Sequence, residues 1–460
     1  MKNLCIILAA GEGTRMKTAG PKVMCRVLFK PMLDWVLDSV KLAGIEDICV
    51  IVGHGADIVR EHLNGSCETV QQTERKGTGH AVMMASEMIK AHDDANVLIL
   101  NGDAPFIDAK TIKSALAFHI ESRAEATVVS ALVKNPHGYG RIIRDRSGTI
   151  REIIEENDAN ESVKAIREIN SGMYWFRAST LLDALGKIKP ENSKGEYYLT
   201  DAIRIILDEG KKACAFTAED DEIVLGANSR LQLNELNEAA RRKILNRLMA
   251  EGVDIPCCDG VLVGPDATVG RDTTLLPNTI ISGASRIGQG CVIGPGSVVE
   301  NSEIGDFVRF NSSQIYDAQI KSYATVGPFV HIRPDSAVGP GTRVGNFVEI
   351  KNSVIGEGTH VSHLTYVGDS DVGANVNFGC GVVTVNFDGK DKSRCTVKDG
   401  AFIGCNTNLI APVTVGEYAY IAAGSTITDD VPDRALAVAR ERQTVKEGWV
   451  DSKQPYRKKV

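Results

Sequence analysis

At 460 residues the chain exceeds what one ordinary core holds, so two or three domains are expected. With 43% apolar and 24% charged residues it reads as globular, and a net charge of −7 excludes a general nucleic-acid binder, which would carry a basic stripe. No apolar run reaches membrane-spanning length, and eleven cysteines with no C-x-x-C pair indicate neither a disulfide framework nor a zinc ribbon, so a reducing cytoplasm is expected.

The chain opens on Leu4 to Leu8, a continuous apolar run expected of a strand buried on both faces of a parallel sheet. Ala9, Ala10 and Gly11-Glu12-Gly13-Thr14 follow at once. Backbone N–H groups on so small a turn can approach a phosphate, and the dipole of a following helix would add to that attraction. Arg15 suits bidentate phosphate binding and Lys22 acts as a point charge. A P-loop would need Gly-Lys-Ser/Thr after four intervening residues, and a dinucleotide fingerprint a third glycine where Met16 stands.

Alternating apolar and amphipathic stretches continue: a helix at Trp35 to Leu42, a strand at Ile48 to Val52, a helix over 79–91 and a strand at Val97 to Leu100. This alternation predicts a parallel sheet with helices on both faces and ligands at the carboxyl ends of its strands. Three stretches should meet there: the first loop, the run Gln71 to Thr78, and Asn101-Gly102-Asp103. Gln72 with Gly77-Thr78 has the donors and acceptors to read a pyrimidine edge, although such a run is more often a plain polar turn. Asp103 either holds Mg²⁺ against phosphate oxygens or caps the next element. Gly140, Glu155 and Asn170 could admit and clamp a sugar, and Asn228 reads locally as a helix cap. From Ser229 to Ala250 apolar residues recur at helical spacing, giving a long helix that either joins two domains or packs inside the first.

From about residue 260 the period changes to six. Val269, Leu275, Ile281, Ile287, Ile293 and Val299 begin it; the rhythm slips near 304, resumes through Val326 to Ile350, and returns from Ile403 to Ile427. This is the hexapeptide repeat of a parallel β-helix, with the aliphatic residue inward and glycine at corners. A polar interruption between about 384 and 402 reads as a functional loop, and His363, some twenty residues before it, is a candidate general base, although a lone surface histidine is more often inert.

The string Leu8-Ala9-Ala10-Gly11-Glu12-Gly13-Thr14-Arg15, with Pro21-Lys22, resembles the signature of the sugar-1-phosphate nucleotidyltransferases. Adding Arg333, Lys351, His363, Tyr366, Asn377 and Asn386, nearly the whole chain resembles the bacterial bifunctional pyrophosphorylase/N-acetyltransferases of amino-sugar phosphates. The resemblance implies a Rossmann-like α/β nucleotidyltransferase domain over 1–228, a linker helix over 229–251, and a left-handed β-helix acetyltransferase domain with a C-terminal tail over 252–460. It also implies a homotrimer with no membrane or nucleic-acid partner.

For the first site, the resemblance implies that Leu8, Ala9, Ala10, Gly11, Lys22, Gln72, Gly77, Thr78, Asn101, Gly102 and Asp103 hold UTP. Gly140, Glu155 and Asn170 would hold the N-acetylhexosamine, Asp103 and Asn228 would hold Mg²⁺, and Arg15 and Lys22 would be the catalytic cations. That family usually has a tyrosine where this chain has Asn101.

For the second site, it implies that Arg333, Lys351, Tyr366 and Asn377 bind glucosamine-1-phosphate while His363 deprotonates its amine. Cys380, Asn386, Phe387, Cys405, Ala423 and Arg440 would face acetyl-CoA; Cys380, Phe387 and Cys405 replace what are often Ala, Tyr and Ser. Two rival readings are a single-activity nucleotidyltransferase with a merely structural β-helix, and a non-catalytic sugar-nucleotide sensor.

Overall fold

The computed structural model describes residues 2–455. The chain divides into two compact units, Met1–Ala240 and Arg241–Val460, and the division falls inside the long helix Arg230–Ala250. Ser229 caps that helix by accepting from the Gln232 N–H (3.2 Å), while the Gln232 side chain reaches back to the Asn228 N–H (2.8 Å).

In the first unit the strand Asn3–Ala9 lies inside the main sheet, between Asn96–Asn101 and Asp47–Val52. Across that sheet the strands run Ala213–Thr217, Ala126–Leu132, Glu168–Arg177, Asn96–Asn101, Asn3–Ala9, Asp47–Val52, Glu68–Gln71. Alternate side chains of Asn3–Ala9 enter two different cores: Leu4 and Ile6 one, Cys5, Ile7 and Ala9 the other. Helices Ala178–Leu185 and Asp201–Asp208 cover the first face. Met32–Leu42, Ala56–Leu63 and Ala109–Glu121 cover the second. Burial on both faces is the reason the opening run is uniformly apolar.

Three expectations for this unit need correction. The sheet is mixed, because Glu168–Arg177 runs antiparallel to both its neighbours. It arrives after the hairpin Arg141–Arg144/Ile150–Ile154 rather than through a full helical crossover, which only a parallel return requires. The helix expected over 79–91 is two, Thr78–Met83 and Ser86–Lys90; the Ser86 hydroxyl donates to the Met83 carbonyl (2.6 Å) and competes for it at the break. The first loop is followed only by the single 3₁₀ turn Thr14–Met16, so no extended helix dipole points into it.

The buried His119 makes one stability prediction. Its Nδ1 faces the Thr127 hydroxyl (2.9 Å) and its Nε2 is buried with no partner. Burial, reinforced by Arg177, pushes the imidazole pKa from 6.5 down to about 4. Between these values the unfolded chain binds the proton and the native chain does not, so stability falls as pH drops from 6.5 towards 4. The loss reaches about 3 kcal/mol. Urea midpoints followed by tryptophan fluorescence at pH 4 and 7 check this, and His119→Gln should flatten the slope.

The second unit is a parallel β-helix, left-handed, with three sheets of stacked parallel strands. One inward column runs Val263, Ile281, Val299, Ile315. The others begin at Val269 and Leu275. The rhythm slips at 304 because some sides are one residue shorter, while Ile304, Phe310, Ile315 and Ile320 still face inward. Glycine takes positive φ at many corners, Gly283, Gly341 and Gly358 among them, but it shares that role: Asn301, Asp317, Asp335, Asn352 and Asp369 hold one corner at φ +44° to +61°, which Asn and Asp tolerate best after glycine. The interruption is also narrower than expected. Cys395–Val397 already re-enters the sheet with Val397 buried, leaving a loop over 386–394 in which Phe387 pairs with Lys392. Among the described residues no helix is long and apolar enough to cross a membrane.

Candidate active sites

At the carboxyl ends of the central strands of the first unit lies a cleft of about 270 Å³. Its walls include Leu8, Ala10, Gly11, Lys22, Gln72, Gly77, Thr78, Asn101 and Asp103, residues from three distant stretches that the sheet brings together. Gly102 lies behind this wall, its N–H bonded to the Leu8 carbonyl (2.9 Å). Ala9 faces the core instead, and Arg15 sits on the exposed 3₁₀ turn outside the cleft walls. Strand alternation accounts for Ala9: its neighbours Leu8 and Ala10 take the opposite side.

Lys22 is the focus of the cleft. Its ammonium donates to the Asn228 amide oxygen (2.9 Å) and pairs with the Asp103 carboxylate, with both acidic and basic side chains mostly covered. Gly13 makes this approach feasible. It adopts φ +63°, and a Cβ there would stand 2.8 Å from Lys22 Cβ. A cation is thus already held between one carboxylate and one amide oxygen, which is the donor chemistry Mg²⁺ requires, and the pair fits such an ion. Among the described residues there is no cluster of three or more His, Cys, Asp or Glu that could hold a metal, so any ion here would take its other ligands from water and phosphate.

On the opposite wall the buried Gln72 amide nitrogen is committed to the Gly77 carbonyl (3.2 Å) and to His80 Nδ1 (3.0 Å). Its oxygen is left as the acceptor. The Thr78 hydroxyl accepts from the Leu199 N–H (3.0 Å), tying this turn to residues 196–199. Arg75 and Glu196 also line the cleft, and Arg75 pairs with Glu12 of the first loop. The sequence reading assigned Arg75 and Glu196 no role; only the fold brings them to this wall.

Gly140, Glu155 and Asn170 form a second group. The Asn170 N–H donates to the Gly140 carbonyl (2.9 Å), and a Cβ on Gly140 would lie 3.2 Å from Glu155 Oε1. Burial raises the Glu155 carboxyl above its ordinary range, partly offset by a hydrogen bond from Thr200. The Asn170 side chain accepts from the Gly172 N–H (3.0 Å) at a bulge in the strand, and Gly172 in turn lies against Asn101. The bulge therefore links this group to the cleft wall.

In the β-helix, backbone bonds between coils stack the candidates. Gly381 N–H donates to the His363 carbonyl (3.4 Å), Asn406 N–H to Cys380 (2.7 Å) and Gly424 N–H to Cys405 (2.8 Å). His363, Cys380, Cys405 and Ala423 thus rise along one edge, and Arg440 closes it, its Cδ 3.6 Å from where a Cβ on Gly424 would stand. The exposed His363 ring places Nδ1 3.0 Å from the Asn346 amide oxygen. An amide oxygen only accepts, so Nδ1 donates and Nε2 is left as the proton acceptor of the ring. Asn377 follows on the next coil, in register with His360.

Around the adjoining corner, Arg333 and Lys351 occupy successive coils. Arg333 pairs with Glu349 (2.8 Å) and Lys351 with the buried Asp369 (3.1 Å). Asn386 donates to Asp369 and to the Tyr366 hydroxyl (3.4 Å), whereas Phe387 is exposed on the loop. Asn346, Glu349 and Asp369 are the residues the sequence reading missed here. Nothing in the hexad pattern separates a polar corner residue that supports a site from one that merely turns the chain.

Residues 4–223 match the nucleotidyl transferase family, and residues 266–301 and 394–429 match the bacterial transferase hexapeptide (six repeats) family. The chain is 48% identical over 448 residues to the bifunctional protein GlmU of Clostridioides difficile (strain 630), covering 97% of each. It is 46% identical over 450 residues to that of Acetivibrio thermocellus, covering 98% of this chain and 97% of the relative. The GlmU of Thermoanaerobacter pseudethanolicus is 48% identical over 448 residues, again covering 97% of each. A nucleotide-type cleft in one unit and an oriented imidazole on a hexapeptide β-helix in the other thus agree with relatives that span the whole chain, which belongs to the family of bifunctional GlmU proteins.

Proposed function

We propose that this protein is a bifunctional transferase making UDP-N-acetylglucosamine in two steps. Acetyl transfer from acetyl-CoA to glucosamine-1-phosphate is assigned to residues 252–460. Uridylyl transfer from UTP to N-acetylglucosamine-1-phosphate, releasing pyrophosphate, is assigned to residues 1–228, with 229–251 as connector. The observation carrying this reading is that one chain holds both a cation bridged by Asp103 and Asn228 at a cleft and an imidazole whose Nδ1 is fixed by Asn346.

In the uridylyl step a sugar-phosphate oxygen attacks the α-phosphorus and pyrophosphate leaves. Almost no proton moves, so positioning and charge neutralisation supply the catalysis. Lys22 neutralises the phosphates, with Arg15 reaching them from the exposed turn when substrate fills the cleft. The Gln72 amide oxygen accepts from the uracil N3–H, because its nitrogen is already engaged. Leu8 to Gly11 and Asn101-Gly102 line the nucleotide, and Gly140, Glu155 and Asn170 receive the acetamido sugar. Asp103 and Asn228 would hold Mg²⁺, which would screen the triphosphate charge.

In the acetyl step His363 Nε2 takes a proton from the amine as its nitrogen attacks the thioester carbonyl, and the coenzyme A thiolate leaves. Arg333 and Lys351 bind the sugar phosphate, with Tyr366 and Asn377 against the ring. Cys380, Asn386, Phe387, Cys405, Ala423 and Arg440 face the acyl donor, Arg440 being suited to its phosphates. A homotrimer is the assembly that fits. Stacked aromatic pairs Phe307/Tyr323 and Phe329/Phe347 stand exposed along the coils, a surface that neighbouring β-helices would cover. Eleven cysteines, all unpaired, suit a cytoplasmic protein.

A coupled assay tests the reading. Glucosamine-1-phosphate, acetyl-CoA, UTP and Mg²⁺ together should release both thiol and pyrophosphate, and omitting acetyl-CoA should stop both. Pyrophosphate formed only from pre-acetylated sugar phosphate, with no thiol release from the amine, would leave a single-activity nucleotidyltransferase.

A further inference from the structure

The corner at Asp369 carries more than the fold asks of it. The equivalent positions in other coils are Asn301, Asp317, Asp335 and Asn352, all at positive φ, so either Asn or Asp satisfies the turn. Asp317 and Asp335 are exposed, where a charge costs nothing. Asp369 alone in this column is buried, 3% exposed, and a buried carboxylate is expensive unless it is paired and hydrogen-bonded. A neutral asparagine would turn the chain here at lower cost. The charge therefore answers to something other than the corner.

Its partners show what that is. One carboxylate oxygen accepts from the Asn352 amide (2.5 Å); the other accepts from the Lys351 ammonium (3.1 Å) and from the Asn386 amide. Its backbone carbonyl accepts from the Cys395 N–H (3.1 Å), where the 386–394 loop re-enters the sheet. Both ends of the loop therefore close on this one residue, and so does the lysine of the coil below. Burial pushes the carboxyl up, but the donors from Asn352, Asn386 and Lys351 hold it below its ordinary range.

We propose that Asp369 is a positioning residue that couples the two halves of the acetyl-transfer site, holding the phosphate-binding Lys351 and the acyl-donor loop through one carboxylate. This rests on the assignment of Lys351 to the sugar phosphate and Asn386 to acetyl-CoA. Buried behind Lys351 and Asn386, Asp369 acts through them rather than on a substrate itself. When Lys351 is removed, the buried charge loses its counter-ion and the carboxylate that anchors the loop is no longer held in place, so damage on the acceptor side reaches the donor side.

Steady-state acetyl transfer by the full chain tests this. Asp369→Asn keeps the corner and removes the charge. It should raise the KM for both glucosamine-1-phosphate and acetyl-CoA by about 10-fold, with a smaller change in kcat. The exposed Asp335→Asn should change neither KM. Lys351→Met should raise the KM for acetyl-CoA as well as for the sugar phosphate, and adding Asp369→Asn to it should bring the acetyl-CoA KM back down. That rescue is not expected of a residue that merely braces the fold, and it can be read even if Asp369→Asn alone folds poorly. Normal acetyl-CoA KM in Lys351→Met, or additive losses in the double variant, would overturn the coupling. Wild-type protein that acetylates nothing would instead remove the functional assignment on which the coupling stands.

Discussion

Asp103→Ala is expected to lower Mg²⁺-dependent pyrophosphate release by about 10²–10³-fold while acetyl transfer continues at the parent rate. Asp103 supplies the only carboxylate touching Lys22 in the cleft among the described residues, beside the Asn228 amide. Removing it takes away half of the oxygen pair that would hold the ion and frees the lysine to swing. The fold should survive, since the lost contact lies at the wall of an open cleft and no apolar core residue is changed. The acetyl-transfer candidates all lie in the other compact unit, so that activity serves as the internal control. Pyrophosphate release at the parent rate would exclude Asp103 from the metal site; loss of both activities would contradict the division of labour between the units.

His363→Ala should do the converse, lowering acetyl transfer by about 10²–10⁴-fold and leaving uridylyl transfer from pre-acetylated sugar phosphate intact. The ring is exposed, and its one polar side-chain contact is with Asn346 at 3.0 Å, so truncation leaves no buried group unpaired. The effect would then report chemistry rather than folding. Thiol release from acetyl-CoA with glucosamine-1-phosphate as acceptor is the measurement. A variant that acetylates as fast as its parent would remove the imidazole from the reaction.

Both predictions concern residues that the sequence singled out, yet for different reasons. Asp103 comes two residues after a buried strand, where the crevice of an open sheet lies, although the residues alone leave a turn cap equally open. His363 has no such local warrant. A lone histidine on a coil is ordinarily inert surface, and what singles out His363 is its company of Arg333, Lys351 and Asn386 elsewhere in the chain. The register of the coils is what sets it beside Asn346.

Periodicity is the part of this protein that its residues determine unaided. The unbroken burial of Leu4, Cys5, Ile6 and Ile7 and the six-residue aliphatic rhythm are local consequences of which side chains must leave water, and both survive into the structure. The long helix Arg230–Ala250 is likewise written in its cap and spacing. Direction and contact are another matter. Whether Glu168–Arg177 runs parallel and which corner Asx becomes the buried Asp369 depend on what packs against them from far along the chain. A polar residue carries no mark of its distant partners, because hydrogen bonds and ion pairs reach only a few ångströms in space and any distance in sequence. The tertiary fold alone decides which of them meet.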